Sequence, residues 1–454
     1  MRLIGDELPA TADVVVVGAG IVGAACARAL AHAGRSVCVV DRDGPAAGTS
    51  SSGEGNLLVS DKLPGPELDL ALHSLRLWAQ FAAGAGSGSG SGVSVDSGSG
   101  VPASRSGPDA PASRSRSDTP AGRGSSVPGG PGFELGAALG SGFEFEAKGG
   151  LVVADSAASL AGLEAVVAGQ RAAGVEVVML SAEQLADAEP LLAPDLIGGA
   201  LYPQDSQLQP MLAVRALLAD AVRAGARVVG GAEVVAAERG RDGVFRVRTG
   251  RGVISAPAVV VAAGVWSRVV ARMLGGHAPV VPRRGHVVVT EALPPLIRYK
   301  VYEAGYVSDV GSDDGRLLCS AVVEGTPSGP VLLGASRELV GFDRRMNPAA
   351  VAGICRGAAR LFPFLSEVRA IRAYLGLRPA SPDHLPMIGP DADVEGLWHA
   401  TGHEGAGVGL APGTADLLCA LMTGGAPPVD PEPFAPSRPT LRAAAHVEGV
   451  DADA

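Results

Sequence analysis

The chain has 454 residues, of which 47% are hydrophobic and 19% charged, and its formal net charge is −10. This length and composition are typical of a globular protein with two substantial cores. The negative charge argues against a nucleic-acid surface, because phosphate binding needs a concentrated basic patch that we do not find.

The stretch from residue 14 to residue 41 has the pattern strand, glycine turn, helix, strand and terminal acid. Gly18 permits the tight turn, Gly20 lets backbone N–H groups approach a pyrophosphate, and Gly23 lets the helix pack close to the sheet. Asp41 lies where a carboxylate accepts hydrogen bonds from ribose hydroxyls, so the pattern predicts an adenine-dinucleotide site. The residues expected at this site are Gly18, Gly20, Ile21, Val22, Gly23, Asp41 and Arg42. The alternative is a buried βαβ unit without a ligand.

A small-residue loop follows at residues 44–56, and we expect it to turn back across the nucleotide. Residues 68–81 then have helical apolar spacing. From residue 82 to residue 131 the chain is rich in Gly, Ser, Pro, Ala and Arg, with almost no large apolar side chains. Such a segment buries too little area to offset its ordering entropy, so we predict a disordered surface insertion.

Strand-like and helical runs alternate between residues 143 and 262. We predict strands within Phe143–Ala154 and at Glu176–Leu180, Arg227–Val229, Ala232–Glu238, Val244–Thr249, Val253–Ala256 and Ala258–Ala262, with the pair 227–229 and 232–238 in the nucleotide domain. We predict helices at Ser156–Ala173, Ser181–Ala188 and Gln209–Ala224, the last opened by Pro210.

The pattern changes to longer strand-like runs between residues 280 and 373, which favours an antiparallel sheet in a second domain. A helix is predicted at Ala349–Leu361. The chain then returns to the first domain with a strand at Gly396–Thr401, a glycine loop at His403–Gly409 and a helix at Ala411–Met422. The proline-rich tail beyond Gly424 is expected to be loose.

Five segments in this order resemble the FAD-dependent amino-acid oxidoreductases of the D-amino-acid oxidase, glycine oxidase and sarcosine oxidase superfamily. They are VVVVGAGIVG with Asp41, TSSSGEGN, VVVAAGVWS, YLGLRPASPDHLPMIG and HATGHEGAGVGLAPGTADLL. The resemblance implies an α/β fold in which a Rossmann-like FAD-binding domain is interrupted by an α+β substrate domain with an antiparallel sheet. The FAD-binding parts would be 1–81, 209–279 and 377–425, the substrate parts 132–208 and 280–376, the insertion 82–131 and the tail 426–454.

The resemblance also implies which residues hold FAD. Thr49, Ser50 and Asn56 match the loop that crosses the flavin, and Val234 matches the position that meets the adenine. Further positions in the matching turns are Ala263, Gly264, Trp266, Gly402, His403, Gly405, Ala406, Gly407, Val408 and Gly409. A helix N-terminus there would stabilise negative charge at the pyrimidine end of the flavin. We expect non-covalent binding, since these motifs contain no cysteine at the GLRP and HEGAG segments.

Gly407, Gly409 and Ala411 also fit the dinucleotide pattern, with Asp430 at a suitable distance. The intervening sequence TGGAPPV cannot form the second strand of a βαβ unit, which argues against a separate nicotinamide site. No metal site is expected, because His399 and His403 are separated by a strand and a glycine turn. The five cysteines are scattered without a CxxC pair and are expected to be buried reduced thiols.

Arg378, in GLRP, matches the arginine with which such enzymes hold the substrate carboxylate; a surface arginine before a proline turn is the alternative. Its planar fork suits a carboxylate. His286 and Tyr302 are candidates for the pocket, with a structural histidine and plain sheet packing as their alternatives. Glu404 could pair with a substrate ammonium or cap a turn. In glycine oxidase an arginine from this loop helps to bind the substrate, whereas this sequence offers Glu404, Gly405 and Ala406, which argues against a simple glycine or sarcosine oxidase.

We therefore expect an FAD-dependent oxidoreductase that acts on a D-amino acid, proline or hydroxyproline, or an N-methylated glycine. Hydride transfer from carbon to flavin N5 would give an imine, and this path needs positioning more than a dedicated base. The alternatives are an FAD-binding subunit that acts only within a heteromeric complex, and an NAD-dependent dehydrogenase.

Oxygen, a quinone or an iron–sulfur partner subunit could accept the electrons. TSSSGEGNLLVSDK resembles the bacterial opine, hydroxyproline and cyanide-forming dehydrogenase subunits, which favours a dehydrogenase. Residues 1–13 contain no apolar signal segment and no membrane span is expected, so we predict a cytoplasmic protein, with peripheral attachment to the inner membrane left open.

Overall fold

The structure is a computed structural model, and it describes residues 3–5, 7–87, 142–306 and 315–444. The helices are α1 (Ile21–His32), α2 (Pro66–Ser87), α3 (Ala157–Ala172), α4 (Ala182–Ala188), α5 (Pro210–Arg223), α6 (Ser267–Met273), α7 (Pro348–Leu361), α8 (Gly407–Thr423) and α9 (Pro439–Ala444). Short 3₁₀ turns lie at Thr49–Ser51, Gly264–Trp266, Pro363–Glu367 and Glu432–Phe434. No helix in the described ranges is long and apolar enough to span a membrane.

The strands are β1 (Val14–Val17), β2 (Val37–Val40), β3 (Asn56–Leu57), β4 (Gly150–Ala154), β5 (Val178–Ser181), β6 (Gly198–Tyr202), β7 (Ser206–Gln207), β8 (Arg227–Val229), β9 (Val234–Arg239), β10 (Phe245–Thr249), β11 (Gly252–Ala256), β12 (Ala258–Val261), β13 (Val281–Ala292), β14 (Lys300–Glu303), β15 (Leu318–Gly325), β16 (Pro330–Arg337), β17 (Ala370–Ala380), β18 (Met387–Pro390) and β19 (Leu397–Thr401). They form sheets of six, three, eight and two strands among the described residues.

The six-stranded sheet carries the first domain, in the order β18-β19-β12-β1-β2-β8. All neighbours are parallel except β18 and β19. In β1, Val14 and Val16 pack in the core that includes α1, α5 and α8, whereas Val15 and Val17 face the antiparallel sheet β11-β10-β9. The sheet is covered on both faces, which explains why β1, β2 and β12 are nearly continuous runs of valine rather than alternating patterns.

The eight-stranded sheet carries the second domain, in the order β17-β13-β16-β15-β14-β4-β6-β5. Its neighbours are antiparallel except β14 and β4. The apolar side of α7 packs on β15, β16 and β13 around Ile354 and Phe362. The predicted fold class, a nucleotide-binding α/β domain interrupted by a domain with an antiparallel sheet, is confirmed.

Helix α8 begins at Gly407, four residues before the predicted start, and contains Pro412. Because Pro412 has no N–H, the carbonyl of Val408 loses its partner within the helix. Trp78 from α2 replaces that donor, with its indole Nε1 3.0 Å from the Val408 oxygen. Ser74 bridges the next turn, since its Oγ donates to the Gly409 carbonyl (2.6 Å) and accepts from the Gly413 N–H (3.1 Å). Side chains of α2 therefore provide hydrogen-bond partners for backbone groups that α8 does not pair within itself.

Several predicted boundaries differ from the structure. Helix α2 runs to Ser87, past the predicted start of the insertion, and the rest of that segment lies outside the described residues. Strand β17 continues to Ala380, so the predicted division between residues 376 and 377 falls inside one strand. Strand β9 lies in the three-stranded sheet, which packs on the six-stranded sheet of the same domain. Of the run 143–154, only 150–154 forms a strand.

The tail was expected to be loose beyond Gly424, and up to residue 444 this is wrong. Arg438 is buried and holds Asp383 with two bonds, from Nε at 2.6 Å and from Nη2 at 2.7 Å. Phe434 and Leu441 are buried as well. A paired guanidinium and two apolar anchors therefore hold this segment against the loop before β18. The last part of the tail lies outside the described residues.

Candidate active site

A cavity with a volume of about 320 Å³ runs between the two domains. At one end it is lined by the glycine turn after β1 and by the end of β2. At the other end it is lined by β13, β16 and β17 and by the loop before α8. Loop 47–56 forms part of its wall between these ends.

The glycine turn at the first end is built by close backbone contacts. Gly18 has φ +113°, and a Cβ there would lie 2.4 Å from the carbonyl oxygen of Ala262. A Cβ on Gly23 would lie 2.0 Å from the Gly18 oxygen, so Gly23 serves the packing of α1 and does not line the cavity. Gly20 lines the cavity, and a Cβ at this position would lie only 3.2 Å from Ser50 Oγ. The turn therefore requires small residues at each of these positions.

Asp41 closes this end by binding backbone amides. One carboxylate oxygen accepts from Ala19 N at 2.8 Å, and the other accepts from Asp43 N at 2.9 Å and Gly44 N at 2.8 Å. These bonds fix the glycine turn to the end of β2. The carboxylate still lines the cavity and has lone pairs left for ribose hydroxyls. The guanidinium of Arg42 lies over the ring of Trp266, 4.8 Å from its centroid.

Loop 47–56 is tied to both domains. Thr49 Oγ1 donates to the carbonyl of Leu377 in β17 at 2.6 Å, and Ser50 Oγ accepts from the N–H of Ile21 at 3.0 Å. The N-termini of α1 and α8 both open on the cavity, neither N-cap residue has a side chain that caps the helix, and neither first turn contains an acid. Two positive helix ends suit an anionic dinucleotide. The residues present therefore fit an FAD that extends from Asp41 to the loop before α8.

Arg378 lies at the second end, on β17 opposite Arg283 of β13. Its Nη1 donates to the carbonyl of Ser336 at 2.8 Å. A Cβ on Gly285 would lie 2.3 Å from this Nη1, so the guanidinium packs directly against the glycine backbone. Gly405 lies beside Cδ and Nε of Arg378, and a Cβ on Gly405 would be 3.6 Å from both atoms. The fork is thus held in one position while the group remains partly accessible from the cavity.

Glu404 faces a cluster of arginines. Its Oε1 lies 3.7 Å from Arg283 Nη1 and 3.8 Å from Arg337 Nε, and its Oε2 accepts from the N–H of Gly405. Burial raises the pKa of Glu404, but the positive charges of Arg378, Arg337 and Arg283 lower it by more. The pKa of Glu404 is therefore below its usual value. Glu404 is therefore an anion near neutral pH and offsets part of the positive charge.

Most of the predicted site residues line this one cavity. They are Gly18, Gly20, Ile21, Val22, Asp41, Arg42, Thr49, Ser50, Asn56, Val234, Ala263, Gly264, Trp266, Arg378, His403, Glu404, Gly405, Gly407 and Val408. The predicted residues outside the lining are Gly23, His286, Tyr302, Gly402, Ala406 and Gly409. His403 is neutral, because burial lowers its pKa to about 3, and its Nε2 pairs with Thr414 Oγ1 at 2.9 Å.

His286 and Tyr302, which we predicted for the pocket, are fully buried outside it. The Nε2 of His286 accepts from Asn347 N at 3.2 Å, so Nδ1 carries the proton and donates to Ser336 Oγ at 2.9 Å. His286 thus supports the strand that holds Arg378. Tyr302 donates to Ser60 between the domains. Both contacts are structural, because neither side chain reaches the cavity.

Several lining residues were absent from the predicted site, and three of them carry charged side chains that bear on the chemistry. They are Glu54, Arg337 and Arg344. Glu54 had a readable signal, since it is the acid within TSSSGEGN between two residues that we did select. Arg337 is the last residue of β16 and Arg344 follows that strand, and no motif surrounds either residue. Arg337 faces Glu404 beside Arg378 because of the order of strands in the sheet, which the sequence does not reveal.

The family model described as DAO, FAD dependent oxidoreductase, matches residues 13–91 and 133–421. Glycine oxidase of Pseudomonas aeruginosa is 34% identical over 199 residues, which cover 44% of this chain and 50% of that enzyme. Hydrogen cyanide synthase subunit HcnC of the same organism is 29% identical over 94% of this chain and 96% of that protein. D-amino acid dehydrogenase 2 of Ralstonia nicotianae is 31% identical over 94% of this chain and 100% of that protein.

Solved structures with the same fold include glycine oxidase from Geobacillus kaustophilus, with a TM-score of 0.75 and 24% identity. That alignment covers 95% of this chain and 99% of the other. L-Proline dehydrogenase from P. horikoshii has a TM-score of 0.74 and 20% identity, over 95% of this chain and 98% of the other. At these identities the likeness supports the shared fold.

Proposed function

Because the chain belongs to the DAO family of FAD-dependent oxidoreductases, we propose that it oxidises the C–N bond of a small amino or imino acid. Candidate substrates are a D-amino acid, proline or hydroxyproline, and an N-methylated glycine. Bound FAD supplies the two-electron acceptor for the hydride that leaves the substrate carbon, and the product is an imine. The observation that carries the proposal is Arg378, a positioned guanidinium at the end of the cavity opposite the dinucleotide turn.

Arg378 binds the substrate carboxylate in this proposal. The bond to Ser336 uses Nη1, and the other donors of the fork remain for a carboxylate. The glycine at position 285 makes room for the guanidinium, because a Cβ there would lie 2.3 Å from Nη1. A carboxylate fixed here sets which face and which C–H bond of the substrate meets the cofactor.

The surrounding charges favour an acid-bearing substrate. Arg283, Arg337 and Arg378 face one anionic side chain, Glu404, so this end of the cavity has excess positive charge. Arg344 adds a further positive charge elsewhere in the cavity lining. Glu404 cannot accept a proton readily at neutral pH, because the same arginines hold it ionised. It is better suited to keep the arginines apart and their side chains oriented.

Dehydrogenase activity is the finer proposal for the electron acceptor. It rests on the two relatives that align along nearly the whole chain, which are a dehydrogenase and a subunit of hydrogen cyanide synthase. The subunit relative also favours a second candidate, an FAD-binding subunit that needs an electron-accepting partner protein. A quinone is the acceptor that would make such a partner unnecessary.

The test is replacement of Arg378 by Ala, with anaerobic flavin reduction followed by visible absorption over a panel of amino and imino acids. Loss of a charged anchor costs about 3 kcal/mol, so we expect the substrate dissociation constant to rise by about two orders of magnitude. Unchanged affinity for the best substrate would contradict the anchor role.

Arg372→Ala is the matched control, because Arg372 lies on the same strand, is exposed and stacks on Tyr374 outside the cavity. It should leave the affinity unchanged. If wild-type protein contains flavin that no amino or imino acid reduces, the heteromeric alternative is tested next by purifying the protein together with its native partners and repeating the reduction. Flavin that is still not reduced would contradict the proposed function itself.

A further inference from the structure

Glu54 is a carboxyl group in the cavity that the proposed function does not use. It is about nine-tenths buried, and its Oε1 has no hydrogen-bond partner among the residues that the structure describes. Its Oε2 accepts from Asn56 Nδ2 at 3.2 Å. A buried carboxylate oxygen without a donor is costly, so such a group calls for a ligand or a proton.

The second domain leaves space for this side chain. A Cβ on Gly334 of β16 would lie 2.0 Å from Glu54 Oε1. A Cβ on Gly376 of β17 would lie 2.9 Å from Ser52, in the same loop as Glu54. Two strands of the substrate domain thus carry glycine where loop 47–56 approaches them. Any larger residue at Gly334 would displace the carboxyl group.

Glu54 and Arg378 lie against the same strand. Glu54 contacts Gly334, and Arg378 binds the carbonyl of Ser336, two residues further along β16. Arg378 is also among the charged groups close enough to act on the Glu54 carboxyl. An α-amino or imino acid carries its ammonium and its carboxylate on adjacent carbons, so one molecule in this part of the cavity can reach both the carboxylate and the guanidinium.

The charges around Glu54 differ from those around Glu404. Burial raises the pKa of Glu54, and Lys300 and Arg378 lower it while Glu324 raises it, with a net shift upward. Lys300 is already paired with Glu324 at 2.8 Å. The phenol of Tyr374 on β17 also interacts with Glu54. Of the two carboxyl groups, Glu54 therefore takes up a proton more readily.

We propose that Glu54 accepts a proton from the substrate ammonium in the cavity. This inference rests on the proposed function. The N–H bond breaks, its electron pair stays on nitrogen, and the proton forms an O–H bond with the Glu54 carboxylate. The neutral amine then loses the hydride from its neighbouring carbon to the oxidised FAD. Arg378 holds the carboxylate throughout, so one substrate contacts both side chains.

The test compares wild type and Glu54→Gln in anaerobic stopped-flow reduction at saturating substrate, from pH 6 to pH 9. We expect the variant to be about a hundredfold slower at pH 7, the usual contribution of a general base. The rate of the variant should rise about tenfold per pH unit up to the pKa of the free amine. The wild-type rate should reach its plateau at a lower pH than the rate of the variant does. Identical pH profiles would overturn the proposal.

A binding measurement gives an answer without turnover. Acetate bound at Arg378 is repelled by an ionised Glu54, so its affinity for wild type should fall as the pH rises through the pKa of Glu54. Glu54→Gln should abolish that fall, and an unchanged pH dependence would count against the proposal. Flavin absorption reports this binding even if no amino acid reduces the protein, which separates failure of the proposed function from failure of this inference.

Glu189→Gln is the matched control, because Glu189 is also a buried carboxyl with a raised pKa but lies outside the cavity. It should keep both wild-type profiles. If Glu54→Gln does not yield folded flavoprotein, Glu54→Asp takes its place. The shorter acid should slow reduction while the rate still reaches a plateau between pH 6 and pH 9, and a wild-type rate for Glu54→Asp would again reject the proposal.

Discussion

Glu54 and Glu404 are two carboxyl groups in one cavity with opposite surroundings. Glu404 faces arginines and has a lowered pKa, whereas Glu54 faces glycine, one amide and a lysine that is already paired. The sequence predicted Arg378 and Glu404 because their motifs can be recognised locally. It could not predict the role of Glu54, since the space for that side chain is made by Gly334 almost 300 residues away.

Gly285→Ala tests how Arg378 is positioned. The new methyl group would lie within 2.5 Å of the guanidinium, which is the mobile end of a long side chain, so the side chain can move without disrupting the fold. We expect substrate affinity to fall about tenfold or more, with flavin content and melting temperature close to wild type. Anaerobic titration with the best substrate measures this.

Gly162→Ala provides the comparison, because nothing lies within 4 Å of a Cβ at that helical position. Alanine is the better helix former, so this variant should be as stable as wild type or slightly more stable. Equal substrate affinity in Gly285→Ala and Gly162→Ala would show that the bare backbone at Gly285 does not hold Arg378.

Helix α8 shows the limit of sequence reasoning at the scale of an element. Two weak helix formers, Gly407 and Gly409, and the helix breaker Pro412 suggested a later start. The helix begins earlier because two side chains of α2 bond its backbone. Trp78 donates to the Val408 carbonyl that Pro412 leaves without a helical partner, and Ser74 binds the Gly409 carbonyl and the Gly413 N–H. The helix N-terminus consequently reaches the cavity, where its dipole stabilises negative charge.

Trp78→Phe removes the donor to Val408 and should lower stability by about 1–3 kcal/mol, because a buried carbonyl loses its partner. The loss of indole volume adds to this cost, so a double-mutant cycle isolates the hydrogen bond. In Pro412→Ala the new backbone N–H can bond Val408 itself, and Trp78→Phe should then cost clearly less. Urea unfolding of the four proteins measures the coupling, and equal costs in both backgrounds would exclude the compensation.

Over the whole molecule, the two domains are joined by a buried network. Asp205, before β7, accepts from Val59 N at 2.8 Å and from the hydroxyl of Ser60, to which Tyr302 donates. Tyr202 pairs with Gln170, which binds the carbonyl of Lys62 at 2.7 Å. The alternation of domains along the chain could be predicted from changes in periodicity. These joints could not, because each connects segments more than 100 residues apart.

Asp205 should make stability depend on pH. Burial raises its pKa to about 7, against 3.8 for an ordinary Asp, so between these values the folded protein holds a proton that the unfolded chain has lost. Folding is therefore favoured at the lower pH, and the contribution is lost as the pH rises toward 7.

Asp205→Asn cannot ionise and keeps an acceptor for Val59 N, so its stability relative to wild type should be about 2 kcal/mol more favourable at pH 8 than at pH 5. Melting temperatures of both proteins with saturating FAD at the two pH values measure this, and Asp195→Asn, at an exposed position, should show no such change. If the difference between Asp205→Asn and wild type is the same at both pH values, Asp205 is ionised throughout, and the joint between the domains is an anion held by the Val59 N–H and the Ser60 hydroxyl rather than a protonated carboxyl.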